Sequence, residues 1–159
     1  MMVKAVRVML EPNNVQQTKM FQYAGAARFA YNWALAKEKE NYEKGGKFIS
    51  DSELRKEFTR LRNSDEYAWL QNVSNNVTKQ AIKDACIAYK NFFKSLQKYP
   101  KFKSKKKSTP KFYQDNIKIQ FSDTHVKFEG FSSSRKANKQ KLNWVRLAEH
   151  GRIPTDAKY

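Results

Sequence analysis

The chain has 159 residues, 32 Lys and Arg against 15 Asp and Glu, a formal net charge of +17 and a pI near 9.9. A surface this positive repels itself unless a polyanion neutralises it, so nucleic acid is the first partner to consider and an anionic membrane surface the second. A single cysteine, Cys86, and two histidines, His125 and His150, leave no disulfide framework and no cysteine-based zinc site.

The opening run Val3-Lys4-Ala5-Val6-Arg7-Val8-Met9-Leu10 is rich in β-branched residues and reads as a strand. It is too interrupted by charge for a signal peptide. No stretch of about 18 apolar residues follows, so a membrane-spanning helix is not expected and a cytoplasmic location is. Pro12-Asn13-Asn14 ends the strand and can cap a helix. Residues 15–97 read as helical. A first helix is expected to stop near Gly25, and a second to run from about Ala26 to Tyr42 before Gly45-Gly46. Ser50-Asp51-Ser52-Glu53 has the form of a capping box, and Leu54, Phe58 and Leu61 then recur at helical spacing. The longest helix is expected from Ser74, with Val77, Ala81, Ala85, Ala88, Phe92 and Leu96 as its apolar stripe.

The character changes at Tyr99-Pro100. Lys98, Lys101, Lys103, Lys105, Lys106, Lys107 and Lys111 follow without one acid among them, which reads as a solvated loop. Next, Ile117, Ile119 and Phe121 alternate with Lys118 and Gln120, Ser122-Asp123-Thr124 reads as a turn, and His125-Val126-Lys127-Phe128 as the returning strand. A second basic loop holds Arg135 and Lys136, and 142–147 is the last strand. One strand, a helical block of about 80 residues and several more strands make an α+β chain whose first strand closes onto those after residue 112.

Catalysis finds little support. A nucleophile needs a base and an orienting group, and nothing near either histidine supplies them. Metal-dependent cleavage needs converging carboxylates, but Glu38, Glu40, Glu43, Glu57 and Glu66 are scattered over helix surfaces. No glycine-rich phosphate loop is present, and no cofactor is expected. Binding is better supported. Lysines on loops neutralise phosphates, and aromatics between them, as in Tyr99-Pro100-Lys101-Phe102-Lys103 and Lys111-Phe112-Tyr113, can stack on unpaired bases. Local packing is the alternative for Phe102 and Tyr113, and core packing the favoured role for Trp33 and Trp144. Asn75, Asn76, Lys79 and Gln80 cluster at a helix start, placed either to read bases or simply to cap and face solvent.

Several of these segments resemble TnpB, the OrfB protein of bacterial insertion sequences. The resemblance lies in Arg7-Val8-Met9-Leu10-Glu11-Pro12 with Gln16-Gln17, and in Gly25-Ala26-Ala27-Arg28-Phe29-Ala30-Tyr31-Asn32. It continues in Ala88-Tyr89-Lys90-Asn91-Phe92-Phe93 with Pro100-Lys101-Phe102-Lys103-Ser104-Lys105, and in Lys141-Leu142-Asn143-Trp144-Val145-Arg146. These cover nearly the whole chain in order, with Asn143 where the family often has Gly. The resemblance implies an oligonucleotide-binding-like β-barrel, the wedge, over residues 1–12 and 98–159. A helical recognition lobe over 13–97 interrupts it, with a helix-turn-helix at its start, a plan shared with type V CRISPR effectors. It also implies that the chain grips a guide RNA and a transposon-adjacent DNA motif. Cleavage would belong to a RuvC domain and zinc ribbon that this sequence lacks, so no enzyme activity is expected. The positions implied to meet the DNA motif are Asp51, Arg55, Asn75, Asn76, Lys79 and Lys118, and an acid at 51 would repel phosphate. A guide-binding subunit partnered by a separate RuvC-containing chain and a nuclease-less DNA-binding regulator are the competing expectations.

Overall fold

The computed structural model describes residues 3–115, 119–131 and 141–154. It divides into two compact units, one built from residues 1–20 and 114–159 and the other from residues 21–113. The elements in chain order are β1 (Leu10–Glu11), α1 (Asn14–Glu43), α2 (Asp51–Arg62), a short 3-10 helix (Ala68–Asn72), α3 (Asn75–Phe93), β2 (Gln120–Phe121), β3 (His125–Lys127) and β4 (Trp144–Leu147).

In the first unit the strands form one antiparallel sheet in the order β1-β4-β3-β2. The β2–β3 hairpin pairs Gln120 with Lys127 and Phe121 with Val126. Its turn is closed by Ser122, whose Oγ accepts from the backbone N–H groups of Thr124 and His125. β1 pairs with β4, Leu10 opposite Leu147 and Glu11 opposite Arg146. Val126, Val145 and Leu147 are buried with Phe128 and Phe131, whose rings stack at 5.3 Å. The strand expected over 3–10 shrinks to Leu10–Glu11 because its partner β4 is only four residues long. Past that length one bond remains, from the Ala148 N–H to the Met9 carbonyl. The sheet is open among the described residues, and the Ile117 and Lys118 part of the expected strand lies outside them.

α1 begins as expected after Pro12. The Asn13 side chain accepts from the Gln16 N–H at 2.9 Å, and the Gln16 side chain accepts from the Asn13 N–H at 3.0 Å. This is the reciprocal arrangement of a capping box. The Gln16 amide then donates to the carbonyls of Leu142 and Trp144, at 3.0 and 2.8 Å.

The expected break near Gly25 does not occur. α1 runs unbroken for 30 residues, and it, not the helix after Ser74, is the longest. The physical reason is local. A glycine inside a helix costs about 1 kcal/mol, while its neighbours Ala24, Ala26 and Ala27 are strong helix formers. Burial of Tyr23, Ala26, Ala30, Tyr31, Ala34 and Leu35 along the same helix outweighs that cost, since one large apolar side chain alone contributes about 1.5–3 kcal/mol. The helix stops where Gly45 takes a φ of 73°, a conformation that favours glycine.

Within the second unit α2 starts at the expected capping box. Ser50 Oγ accepts from the Glu53 N–H, and the Glu53 carboxylate accepts from the Ser50 N–H. Leu54 and Phe58 are buried. α3 buries Val77, Ala81 and Ala85 from the expected stripe, together with Ile82, Cys86 and Tyr89, whereas Leu96 lies beyond the helix and is exposed. Aromatic rings fill the rest of this core, with Trp33 edge-on to Phe58 at 5.2 Å and Phe29 against Phe58, Tyr67 and Trp69. Glu38 is buried, and its carboxylate accepts from the Ile49 N–H at 3.2 Å, tying the α1–α2 connection back to α1. Burial raises the Glu38 carboxyl above its ordinary range, against the lowering effects of the Ile49 N–H, the Cys86 thiol and Lys90. The same burial, with the charges of Glu38 and Asp51, pushes the Cys86 thiol up to about 12.

Gly25 has no positive φ, and a Cβ there would meet nothing nearer than the Arg28 guanidinium at 3.9 Å. Gly25→Ala is therefore expected to stabilise the chain by about 0.5–1 kcal/mol, read as a raised urea midpoint with an unchanged slope. A lowered midpoint would mean that α1 bends at this position in solution.

Candidate nucleic-acid interface

Two basic surfaces lie within the helical unit. The first is a groove formed by α2 and α3, enclosing about 360 Å³. Ser52, Arg55, Lys56 and Thr59 line it from α2, and Asn75, Thr78 and Lys79 from α3, above Phe58 and Ile82. The α2 residues fall at helical spacing, so one face of that helix supplies them all. Three residues anticipated from the sequence, Arg55, Asn75 and Lys79, meet here. Asp51 sits one turn before Arg55 and holds its guanidinium at 3.3 Å, both side chains about one-third exposed. The acid thus occupies the Arg55 guanidinium. Asn76 and Gln80 lie on α3 but do not line the groove, and the Gln80 amide donates to Asp84 at 2.8 Å. The first turn of α3 carries no acid, so no carboxylate there offsets the positive end of the helix dipole. Ser52, Lys56 and Thr59 were not singled out from the sequence. Their shared face with Arg55 was readable there, but their type, common on any solvated helix, gave no reason to choose them.

The lysine segment is the second surface, and it is not the free loop that its composition implied. Asn32 of α1 holds it by two backbone bonds. Its Nδ2 donates to the Lys103 carbonyl, and its Oδ1 accepts from the Lys103 N–H, both at 2.8 Å. Ser104 then closes a turn, its Oγ accepting from the Lys107 N–H and its carbonyl from the Ser108 N–H. Lys103 is half-buried, its ammonium 3.9 Å from the centre of the Tyr31 ring. Burial lowers its pKa, and the charge of Lys111 lowers it further, while Asp84 acts in the opposite direction. Lys101, Lys105, Lys106, Lys107 and Lys111 are exposed. Phe102 and Tyr113, for which packing was the alternative role, are 51% and 49% exposed. Lys39 places its ammonium 5.0 Å from the Phe102 ring and 5.5 Å from Tyr99. Exposed rings beside exposed ammonium groups can stack on bases while the charges meet phosphates.

The sheet unit carries a third cleft, of about 620 Å³, lined by Glu11, Asn13, Gln16, His125, Trp144 and Arg146 among others. Trp144 is half-buried, with the Lys127 ammonium 5.8 Å from its ring. Its indole is thus less enclosed than the core role read from the sequence. Lys118, Arg135 and Lys136 lie outside the described residues. Among the described residues no group of three His, Cys, Asp or Glu side chains is placed to hold a metal ion, and no helix is long and apolar enough to cross a membrane.

Comparison with known proteins adds to this geometry. Residues 1–47 match the helix-turn-helix domain family of OrfB from IS605. The chain is 29% identical over 143 residues to the "Putative RNA-guided DNA endonuclease InsQ" of Escherichia coli (strain K12), covering 90% of this chain and 36% of that protein. Over most of its length the chain is a homologue of TnpB-type proteins. A "Putative RNA-guided DNA endonuclease" of Streptomyces pristinaespiralis is 29% identical over 105 residues, 66% of this chain and 26% of that protein. The "Virulence protein VsdF" of Salmonella dublin is 27% identical over 113 residues, 65% of this chain and 95% of that protein. The chain thus spans about a third of the length of the InsQ homologue. Among the described residues of the matched span the structure has one uninterrupted helix, Asn14–Glu43, after the short strand β1, and the turn comes only after Glu43.

The Asn32 clasp can be tested directly. Asn32→Ala is expected to cost about 1–3 kcal/mol and to speed tryptic cleavage after Lys101–Lys107 relative to cleavage elsewhere. Cleavage there at the wild-type rate would show that the segment is held by other contacts.

Proposed function

We propose that this chain binds nucleic acid as the non-cleaving part of a TnpB-type RNA-guided DNA endonuclease, contacting a guide RNA and a transposon-adjacent DNA motif. In this reading residues 13–97 are a recognition lobe. Residues 1–12 and 98–159, of which 98–113 group here with the helical unit, form a wedge that completes an oligonucleotide-binding-like barrel around the four strands. The α2–α3 groove, which brings Arg55, Asn75 and Lys79 together beside a helix start with no acid in its first turn, is the observation that carries the proposal. Arginine and asparagine are the side chains that read guanine and adenine edges by paired hydrogen bonds, and lysine fixes the neighbouring phosphate. The clasped lysine segment extends this to single strands. The chain contributes no catalytic residue and no cofactor, and a RuvC-containing half, joined or separate, would cut.

A second reading is a nuclease-less DNA-binding regulator. It is favoured by the Salmonella dublin relative, a virulence protein by name, which the match covers over 95% of its length.

The test is a binding titration against structured RNA, duplex DNA and single strands across a salt series. For six to ten phosphate contacts, affinity falls by about 10³–10⁵ between roughly 50 and 200 mM salt. The expected result is preference for structured RNA with that slope. Arg55→Ala is expected to relax duplex sequence preference at about 1–3 kcal/mol, and Lys79→Ala to lower the salt slope by about one. Asp51→Asn, by freeing Arg55, is expected to tighten duplex binding. Tight sequence-specific duplex binding without RNA would instead favour the regulator. Equal weak binding to all three would overturn both readings, and magnesium-dependent cutting by the pure chain would overturn the non-cleaving role.

A further inference from the structure

We propose that the cleft formed by α1, α3 and the segment 103–113 takes one unpaired nucleotide, its base bearing an exocyclic amino group. This inference rests on the nucleic-acid reading above and deepens it. The cleft encloses about 470 Å³, within the range of about 300–1,000 Å³ typical of small-ligand sites. Its floor is made of small apolar side chains, Ala24 and Ala27 from α1 and Ala81 from α3, which leave room for a flat ring. Three cations face this space, Arg28, Lys103 and Lys111, against one acid, Asp84.

Among the described residues lining the cleft, Asp84 is the one acid set against these three cations. Arg28 has no hydrogen-bond or ion-pair partner among the described residues. Lys103 is half-buried, close enough to Lys111 for their charges to oppose each other. A phosphate would relieve both conditions, and the hydroxyls of Ser108 and Thr109 on the same wall can donate to its oxygens. The clasp by Asn32 fixes this wall against α1, so the cleft is preformed.

The occupant must be unpaired. A base stacked in a duplex cannot enter a cleft, and proteins that enclose a base take it out of the stack and read its pairing edge. Asp84 lies at the rim, held by the Gln80 amide at 2.8 Å, and its carboxylate can only accept. It suits the amino groups of adenine, cytosine or guanine and repels the exposed carbonyl oxygen of uracil or thymine. Tyr113, half-exposed on the same wall, can stack on the flanking base.

The experiment uses the full chain and a short single strand in which 2-aminopurine replaces one base in turn. Binding is expected to raise the fluorescence at one position. Ala27→Leu, which fills the floor, is expected to abolish that rise and weaken single-strand binding about tenfold, with duplex affinity unchanged. Asp84→Asn, a change on an exposed side chain, is expected to erase the preference for cytosine over uracil at that position. It carries the test if Ala27→Leu fails to fold. Wild-type binding to single strands with no fluorescence rise, or with no cytosine preference for Asp84→Asn to remove, would overturn the pocket and leave the general reading standing. Loss of all binding by the wild-type chain would overturn both.

Discussion

The structure depends on three polar side chains that one long helix turns inward. Gln16 bonds the carbonyls of Leu142 and Trp144, Asn32 bonds both backbone groups of Lys103, and Glu38 bonds the Ile49 N–H. Two of them tie segments distant in sequence to α1, and Glu38 ties the α1–α2 connection back to it. Buried polar groups without partners cost about 1–3 kcal/mol each, so such groups discriminate strongly between one arrangement and another. Apolar packing of alanines and tyrosines along α1 stabilises the helix but specifies little, because many sequences pack similar small surfaces. The hydrogen-bonded side chains select which loop lies where. They matter most where the loop has no core of its own, as in the segment from Lys101 to Lys111.

That segment shows how charge and fold coexist. Seven lysines from residue 98 to 111 cannot collapse together, and the chain handles them by fixing the backbone at Lys103 and leaving the other ammonium groups in solvent. The single half-buried ammonium is placed over the Tyr31 ring, an attraction worth about 0.5–2 kcal/mol. Holding the lysines in a defined place lowers the ordering cost that a free loop would meet on binding a strand. The α2–α3 groove follows the opposite design. There the cations stand on helices, and Asp51 restrains the Arg55 guanidinium.

Local chemistry was legible in the sequence. The box at Ser50 and Glu53, the stop at Gly45, the start of α1 after Pro12 and the hairpin turn at Ser122 all rest on interactions spanning three or four residues, which residue types alone disclose. Gly25 misled because glycine marks a break only when the neighbouring burial does not outweigh about 1 kcal/mol, and that burial is a tertiary fact. The short β1 was not legible because strand length is set by a partner more than 130 residues away. For the candidate site, Asn75 and Lys79 were read as part of one cluster at a helix start and Arg55 came from the resemblance, and all three line one groove, while the groove's other walls carried no distinguishing type. The role of Asn32 was hidden. An asparagine in the middle of a helix reads as a weak helix former, and only its two bonds to Lys103 reveal what it does.

The claim that nucleic acid binds the α2–α3 groove and the clasped lysine segment is best tested by amide hydrogen exchange of the full chain, with and without a structured RNA. Binding at these surfaces predicts slowed exchange in residues 51–59, 75–80 and 101–113, fading as salt is raised. Slowed exchange confined to the sheet unit, or spread evenly over the chain, would contradict it.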